Sequence, residues 1–338
     1  MLGFGFISII GCNRELPIVG LSGSAWGTTY SIKIVSEQSI NINASKIKSG
    51  IDSIKVDIDN QMSTYKINSE ISLFNRLPVN GAINISPGFT DVIKRSIYWS
   101  ELTLGSFDIT VFPAVINWRQ GKKDREYENL WEPPTDFDII MQMDKIGFKK
   151  IKLSDQTLVK SVEGQMIDVN AIAKGWGVDK IFDYLEANGI SRFMVEIGGE
   201  IRALGLNGKG QKWKIGIDKP IPGNNPGEDI IQVVELNNEA MATSGNYRNF
   251  YEFNGNKFSH IIDPKNGKSI YSDISSVTVV APNCLDADVL ATALNVLSFD
   301  YGLNLIESLK GYEALWVIDL GENSFEAKRS SGMPVKWD

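Results

Sequence analysis

The stretch DVNAIAKGWGVDKIFDYLEANGISRFMVEIGG, Asp168 to Gly199, decides how the rest of the chain is read. A strand ends at its start, Asn170 stands as the N-cap of a helix, and Val178, Ile181, Phe182 and Leu185 keep one helical face until Gly189. FMVEI, Phe193 to Ile197, then reads as a strand closed by Gly198 and Gly199. Lys174 projects from the helix's first turn. Backbone N–H groups and the positive dipole end at a helix start attract anions, and an ammonium adds a point charge, so the segment suits a phosphate. On its own residues it also fits an ordinary capped surface helix with a solvated lysine.

Upstream, Tyr30, Ile32 and Ile34 alternate within Thr28 to Val35, the period of a half-buried strand. Ile47, Ile51, Ile54 and Ile58 recur at helical spacing up to Met62, which leaves Tyr65 of MSTY in a loop. A second helix begins near Pro87 and Gly88, turns Val92, Ile93 and Ile97 inward and stops at Gly105, just before Ser106, Phe107 and Asp108. Phe148 to Val162 reads as a hairpin about Ser154 and Asp155. Downstream, strands dominate from Trp213 to Val280, with turns at PGNNPG (222–227) and PKNG (264–267), and Asp286 to Leu297 reads as a helix. Long helices with grouped strands predict a single layered α+β domain over residues 20–338. No GxGxxG follows an early strand and no Walker sequence occurs, which argues against a Rossmann site and a P-loop.

Composition narrows the chemistry. A chain of 338 residues, 43% hydrophobic, can bury a full core, and a net charge of −7 without a basic run argues against nucleic-acid binding. Two cysteines, Cys12 and Cys284, and one histidine exclude a disulfide framework and a Cys/His zinc site, so any metal should be a hard cation held by oxygen ligands, Mg²⁺ or Ca²⁺. The opening MLGFGFISIIG is apolar, too short to span a bilayer, and meets Cys12 as a lipobox does, although no Lys or Arg precedes it. Residues 1–12 are therefore expected to be a lipoprotein signal segment, with Cys12 lipid-anchored on the periplasmic side of the cell inner membrane; an ordinary buried strand is the alternative.

Three further groups could carry chemistry. Asp288 and Thr292 of ADVLAT lie one helical turn apart and could share an ion, or could be a helix-dipole acid and a back-bonded hydroxyl. His260 in SHIIDP could act as a base or be structural, and the hydroxyls of TSGNYR (243–248) could be functional or part of a tight hairpin. Trp26, Tyr65, Phe107 and Trp176 could stack on a ligand or fill the core, whereas Glu196 before the glycine pair reads as structural.

Taken in order, AWGTTYSIKI, MSTYKINSEISLFN, GSFDITV, IDVNAIAKGWGVD, VEIGGEIRALG, ATSGNYRNF, SHIIDPKNG and ADVLATAL resemble the ApbE family of FAD:protein FMN transferases from about Gly23 to Leu294. The resemblance implies an FAD site lined by Trp26, Tyr65, Ser106, Phe107, Asp108, Asp168, Lys174 and Ile262. It implies a Mg²⁺ held by the Ala171 carbonyl with Asp288 and Thr292, and His260 beside the bound nucleotide. His260 and Lys174 are then the expected catalytic residues, with Asp263 as the second candidate base. Ser106, Trp26 and Glu196 depart from the commonest spelling, where Ala, Met and Asp are usual. The implied reaction moves FMN from FAD to a threonine of a flavoprotein subunit in a membrane redox complex of the Nqr or Rnf type. Its rivals are a Mg²⁺-dependent FAD pyrophosphatase and a non-catalytic exported FAD-binding lipoprotein.

Overall fold

The computed structural model describes residues 15–37, 43–121, 131–221, 223–246 and 250–336. The expected signal segment ending at Cys12 lies outside them, as do Pro222, Tyr247 and Arg248.

The chain begins with a hairpin, β1 (Ile18–Ala25) and β2 (Thr28–Val35), turned at Trp26 and Gly27 with φ of 48° and 79°. Tyr30, Ile32 and Ile34 are buried as their alternation predicts. Helix α1 (Ala44–Met62) is capped by the Asn43 side chain, buries Ile47, Ile51 and Ile58, and ends where the periodicity ends. After α2 (Glu70–Arg76) and β3 (Ala82–Asn84), α3 (Pro87–Leu102) starts on Pro87 and is capped by Ser86. Its stop is shared between Leu104 and Gly105, with φ of 52° and 77°. A 3-10 turn at Ile109–Val111 leads into α4 (Phe112–Gln120), and α5 (Asp136–Met143) follows. The expected hairpin is β4 (Ile151–Ser154) with β5 (Thr157–Lys160), turned at Asp155 and joined by β3; Phe148–Lys150 is a 3-10 turn instead of strand.

The second half supplies most of the sheet. Helix α6 (Asn170–Ala187) is followed by β6 (Phe193–Ile197), β7 (Glu200–Leu204), β8 (Trp213–Asp218), β9 (Ile230–Leu236), β10 (Ala240–Gly245), β11 (Phe250–Phe253), β12 (Asn256–Ser259) and β13 (Ile274–Ala281). Then come α7 (Cys284–Val296), α8 (Phe299–Ser308), β14 (Glu313–Gly321), β15 (Ser324–Arg329) and β16 (Val335–Lys336). Helix α7 starts two residues before the predicted Asp286, because the Asn283 side chain accepts the Asp286 N–H and caps it.

Eight strands form one sheet in the order β1-β2-β6-β7-β10-β13-β14-β15, and every pairing is antiparallel. The fold is α+β, as predicted. Strand β13 is buried at all eight positions, so it runs through the core with both faces covered. On one face Val277 and Val279 pack with α3 and α7 residues, among them Phe89, Ile93, Leu290 and Leu294. On the other, Val280 meets Trp213, Val234 and Leu236 of the small sheet β16-β9-β8. Each such apolar side chain contributes about 1.5–3 kcal/mol when fully buried. These layers fix the polar ends of α6 and α7 against β7.

Candidate functional site

Helices α6 and α7 approach so closely that only glycine fits at position 175: a Cβ there would lie 2.4 Å from the Cys284 carbonyl oxygen. Asp179 of α6 secures the contact. One of its oxygens accepts the Cys284 N–H and Arg202 Nη1, at 2.9 and 2.7 Å, and the other accepts the Leu285 N–H at 2.9 Å. Those two N–H groups belong to the first turn of α7, so Asp179 satisfies helix-end donors from a neighbouring helix.

The start of α6 departs from the sequence reading. Val169 is the cap residue and Asn170 the first helical one, because the Asp168 carboxylate accepts both the Asn170 N–H at 2.7 Å and its side-chain amide at 3.0 Å. The helix then kinks at Ala171, with φ −89° and ψ 18°. In a regular helix the Gly175 N–H would close on the Ala171 carbonyl. Here Asp288 Oδ2, from α7, accepts that N–H at 3.0 Å. The kink and the crossing thus bring the first turn of α6 and a buried carboxylate to one place, with Thr292 one turn further along α7 and half-buried.

Lys174 Nζ pairs with Glu200, which opens β7 and is 2% exposed. Sequence reading passed over Glu200; Glu196, read there as structural, closes the β6–β7 turn with its carboxylate on the Gly199 N–H at 2.9 Å. Burial and the neighbouring Asp288 push the Glu200 carboxyl up to about 8, against the pull of Lys174. Burial raises Asp288 as well, opposed by Lys174 and the Gly175 N–H. For Lys174, burial works against the charge, but Glu200 and Asp288 outweigh it and hold the ammonium above the usual lysine value.

Other predicted residues are arranged around this cluster. Asp168 donates its backbone N–H to the Ile109 carbonyl at 2.8 Å, which sets the Ser106–Asp108 segment beside the start of α6. Burial raises the Asp168 carboxyl. Asn75 of α2 clamps the preceding Ile167 from both sides, through its amide nitrogen at 2.9 Å and oxygen at 2.8 Å. Asp108 is turned to architecture: its oxygens accept the Thr110 N–H and hydroxyl and the Phe148 N–H. Phe107 belongs to the core, while the Ser106 hydroxyl is buried without a partner. Trp26 packs over Gly177, where a Cβ would meet the indole at 2.2 Å. Trp26 also lines a groove of about 800 Å³ between the β1–β2 turn and Asp52, Lys55, Val56 and Asp59 of α1, a groove that Lys174 and Asp288 do not line.

Tyr65 is 84% exposed just past α1. His260 is exposed one residue beyond β12. Ile262 is buried in the apolar cluster of Trp118 and Ile139, and Trp118 donates to the Gly267 carbonyl at 2.9 Å, tying α4 to the 264–267 turn. Asp263 spends its oxygens inside that turn, on the Lys265 N–H and the Asn266 amide.

Among the described residues no three His, Cys, Asp or Glu side chains gather as a metal cluster. A cation here would have to draw on Asp288, the Thr292 hydroxyl and a backbone carbonyl. Oxygen donors with few carboxylates match Mg²⁺, which keeps waters and shares substrate phosphates. The residues therefore fit the expected ion.

Fold and site together define an antiparallel α+β protein whose polar centre, Lys174 with Glu200 and Asp288, lies where the starts of α6 and α7 meet. Residues 26–316 match the model of the ApbE family, and the chain belongs to that family. It is 39% identical over 331 residues to a Haemophilus influenzae protein named FAD:protein FMN transferase, covering 96% of this chain and 93% of that one. A Vibrio cholerae protein of the same name is 38% identical, with 89% and 87% covered. The solved structure of flavin transferase ApbE from Vibrio cholerae superposes with a TM-score of 0.81 at 35% identity, over 94% of this chain and 98% of that one.

Proposed function

We propose that this enzyme transfers FMN from FAD to a threonine of an acceptor flavoprotein, with Mg²⁺ and with release of AMP. The observation that carries the reading is the Asp288 to Gly175 contact at the Ala171 kink, beside Lys174. It supports one site in which α6 offers a carbonyl and an ammonium while α7 offers a carboxylate and a hydroxyl. When bound, Mg²⁺ would neutralise pyrophosphate charge, held by Ala171, Asp288 and Thr292. Lys174 shares that task from the other side of the phosphates. Asp168, the Ser106–Asp108 segment and Ile262 border the nucleotide, and Trp26 and Tyr65 supply apolar surface for its rings.

The threonine hydroxyl attacks the phosphorus of the FMN half. A phosphoester bond forms, the anhydride bond breaks, and AMP departs with the electron pair. His260, exposed just beyond β12, takes the hydroxyl proton. Asp263 is poorly suited to the role, since its oxygens are engaged in their own turn. Phosphoryl transfer needs positioning and charge neutralisation more than covalent chemistry, which suits a site with few free acids and bases.

The acceptors we propose are flavoprotein subunits of Nqr- or Rnf-type membrane complexes, reached from a lipid anchor on Cys12 at the periplasmic face of the inner membrane. Among the described residues no helix is long and apolar enough to cross a membrane. Incubation of the purified chain with FAD, Mg²⁺ and an acceptor domain is expected to leave fluorescent flavin on the acceptor. Replacing the acceptor threonine with valine is expected to abolish the adduct, and an undiminished adduct would contradict the target.

A further inference from the structure

The proposed ligand set gives no task to Glu200, although it is the acid most tightly enclosed against Lys174. Gly198 and Gly199, with φ of 63° and 103°, make the sharp turn that delivers it, and Glu196 pins that turn through the Gly199 N–H. The Glu200 side chain is 3% exposed. One oxygen, Oε1, holds Lys174 Nζ; the other, Oε2, is buried and meets no hydrogen-bond donor. A carboxyl oxygen can accept hydrogen bonds in either protonation state, and buried polar atoms left without any partner are few in native proteins. An ion pair serving only to join α6 to β7 would not require an unpartnered oxygen so close to Asp288.

We propose that Glu200 is a positioning residue of the cation site: Oε1 fixes Lys174, and Oε2 accepts a hydrogen bond from a water in the hydration shell of the ion held by Asp288. Mg²⁺ binds through one or two carboxylates and keeps several waters, so a second acid beside Asp288 acts through water. Partners of this kind orient the shell, and losing one typically costs 10- to 100-fold in metal affinity. Glu200 would also keep Lys174 extended toward the phosphates before FAD arrives, which lowers the cost of ordering a flexible side chain on binding. This inference rests on the reading of Asp288 as a metal ligand.

The test is titration of the whole chain with Mn²⁺, with free ion read by electron paramagnetic resonance and folding followed by melting temperature. Glu200→Gln is expected to weaken Mn²⁺ binding about tenfold, with the melting temperature kept or raised. Glu200→Asp, which retains the carboxyl group, is expected to recover part of the affinity. Wild-type affinity in a folded Glu200→Gln protein would overturn the proposal, as would losses in both variants that only follow a fall in melting temperature. Asp288→Ala separates the two levels. If wild type binds Mn²⁺ and Asp288→Ala does not, the metal site stands and the Glu200 variants decide its outer shell. If Asp288→Ala binds as wild type does, or wild type does not bind, the metal reading fails and Glu200's role falls with it.

Discussion

At the scale of single residues, the site separates groups that hold the fold from groups that face a ligand. Asp108 and Asp168 look alike in sequence, yet Asp108 is consumed by Thr110 and Phe148 while Asp168 also closes the start of α6. No pattern of types and spacing distinguishes them, because the difference lies in which backbone N–H groups come within reach. Glu200 was illegible for a related reason: an acid after two glycines reads as a turn residue until the sheet buries it. Its burial has a pH signature. Between the ordinary carboxyl value of 4.5 and about 8 the folded chain keeps a proton that the unfolded chain releases. Stability from this group is therefore full below about 4.5 and is lost as pH rises through about 8. Lys174, Asp288 and Cys284 share that environment and remain in both proteins compared. In cation-free buffer the melting temperature of Glu200→Gln minus that of wild type is expected to grow from pH 5 to pH 8; a constant difference would contradict the assignment. Tyr65 gives the opposite case, since its ring is 84% exposed and supports little of the core. Tyr65→Ala is expected to leave the melting temperature within about 1 °C while weakening FAD binding about tenfold by equilibrium dialysis, since stacking on a base contributes ~1–3 kcal/mol.

At the scale of elements, the helix that opened the reading was legible in its body and not at its start. Val178, Ile181, Phe182 and Leu185 are buried as their spacing predicts. The kink at Ala171 was not legible; it accompanies Asp288 engaging the Gly175 N–H across a crossing that local sequence does not encode. The same holds for α7, whose first turn is secured by Asp179, over a hundred residues earlier. Gly175→Ala tests this junction directly. The added methyl would meet backbone at 2.4 Å, where no side chain can swing away. It is expected to lower stability by about 1–3 kcal/mol in urea unfolding and to weaken Mg²⁺ binding with it. Asp179→Asn keeps the shape but removes the charge beside Arg202 and two N–H donors, and a loss of about 1–3 kcal/mol is expected from the same measurement.

At the scale of the molecule, the α+β class was legible because long helical periods and clustered alternating strands rarely occur together in a doubly wound sheet. The strand order was not, because β2-β6, β7-β10 and β10-β13 join segments separated by other elements; α4, α5, β14 and β15 were not assigned from sequence, although the Thr135–Asp138 capping box of α5 and the apolar run of β14 could have marked two of them. That order sets β7 beside the helix starts of α6 and α7, and so turns separate weak motifs into one polar centre. The central claim is that this centre moves FMN to a protein hydroxyl instead of giving it to water. The most direct measurement follows AMP, free FMN and acceptor-bound flavin together, by chromatography and mass spectrometry, in mixtures of the chain with FAD and Mg²⁺ with and without an acceptor flavoprotein. The account predicts AMP appearing one for one with flavin on the acceptor threonine, and little AMP when the acceptor is absent. AMP and free FMN accumulating equally in both mixtures, with no flavin on the acceptor, would contradict it.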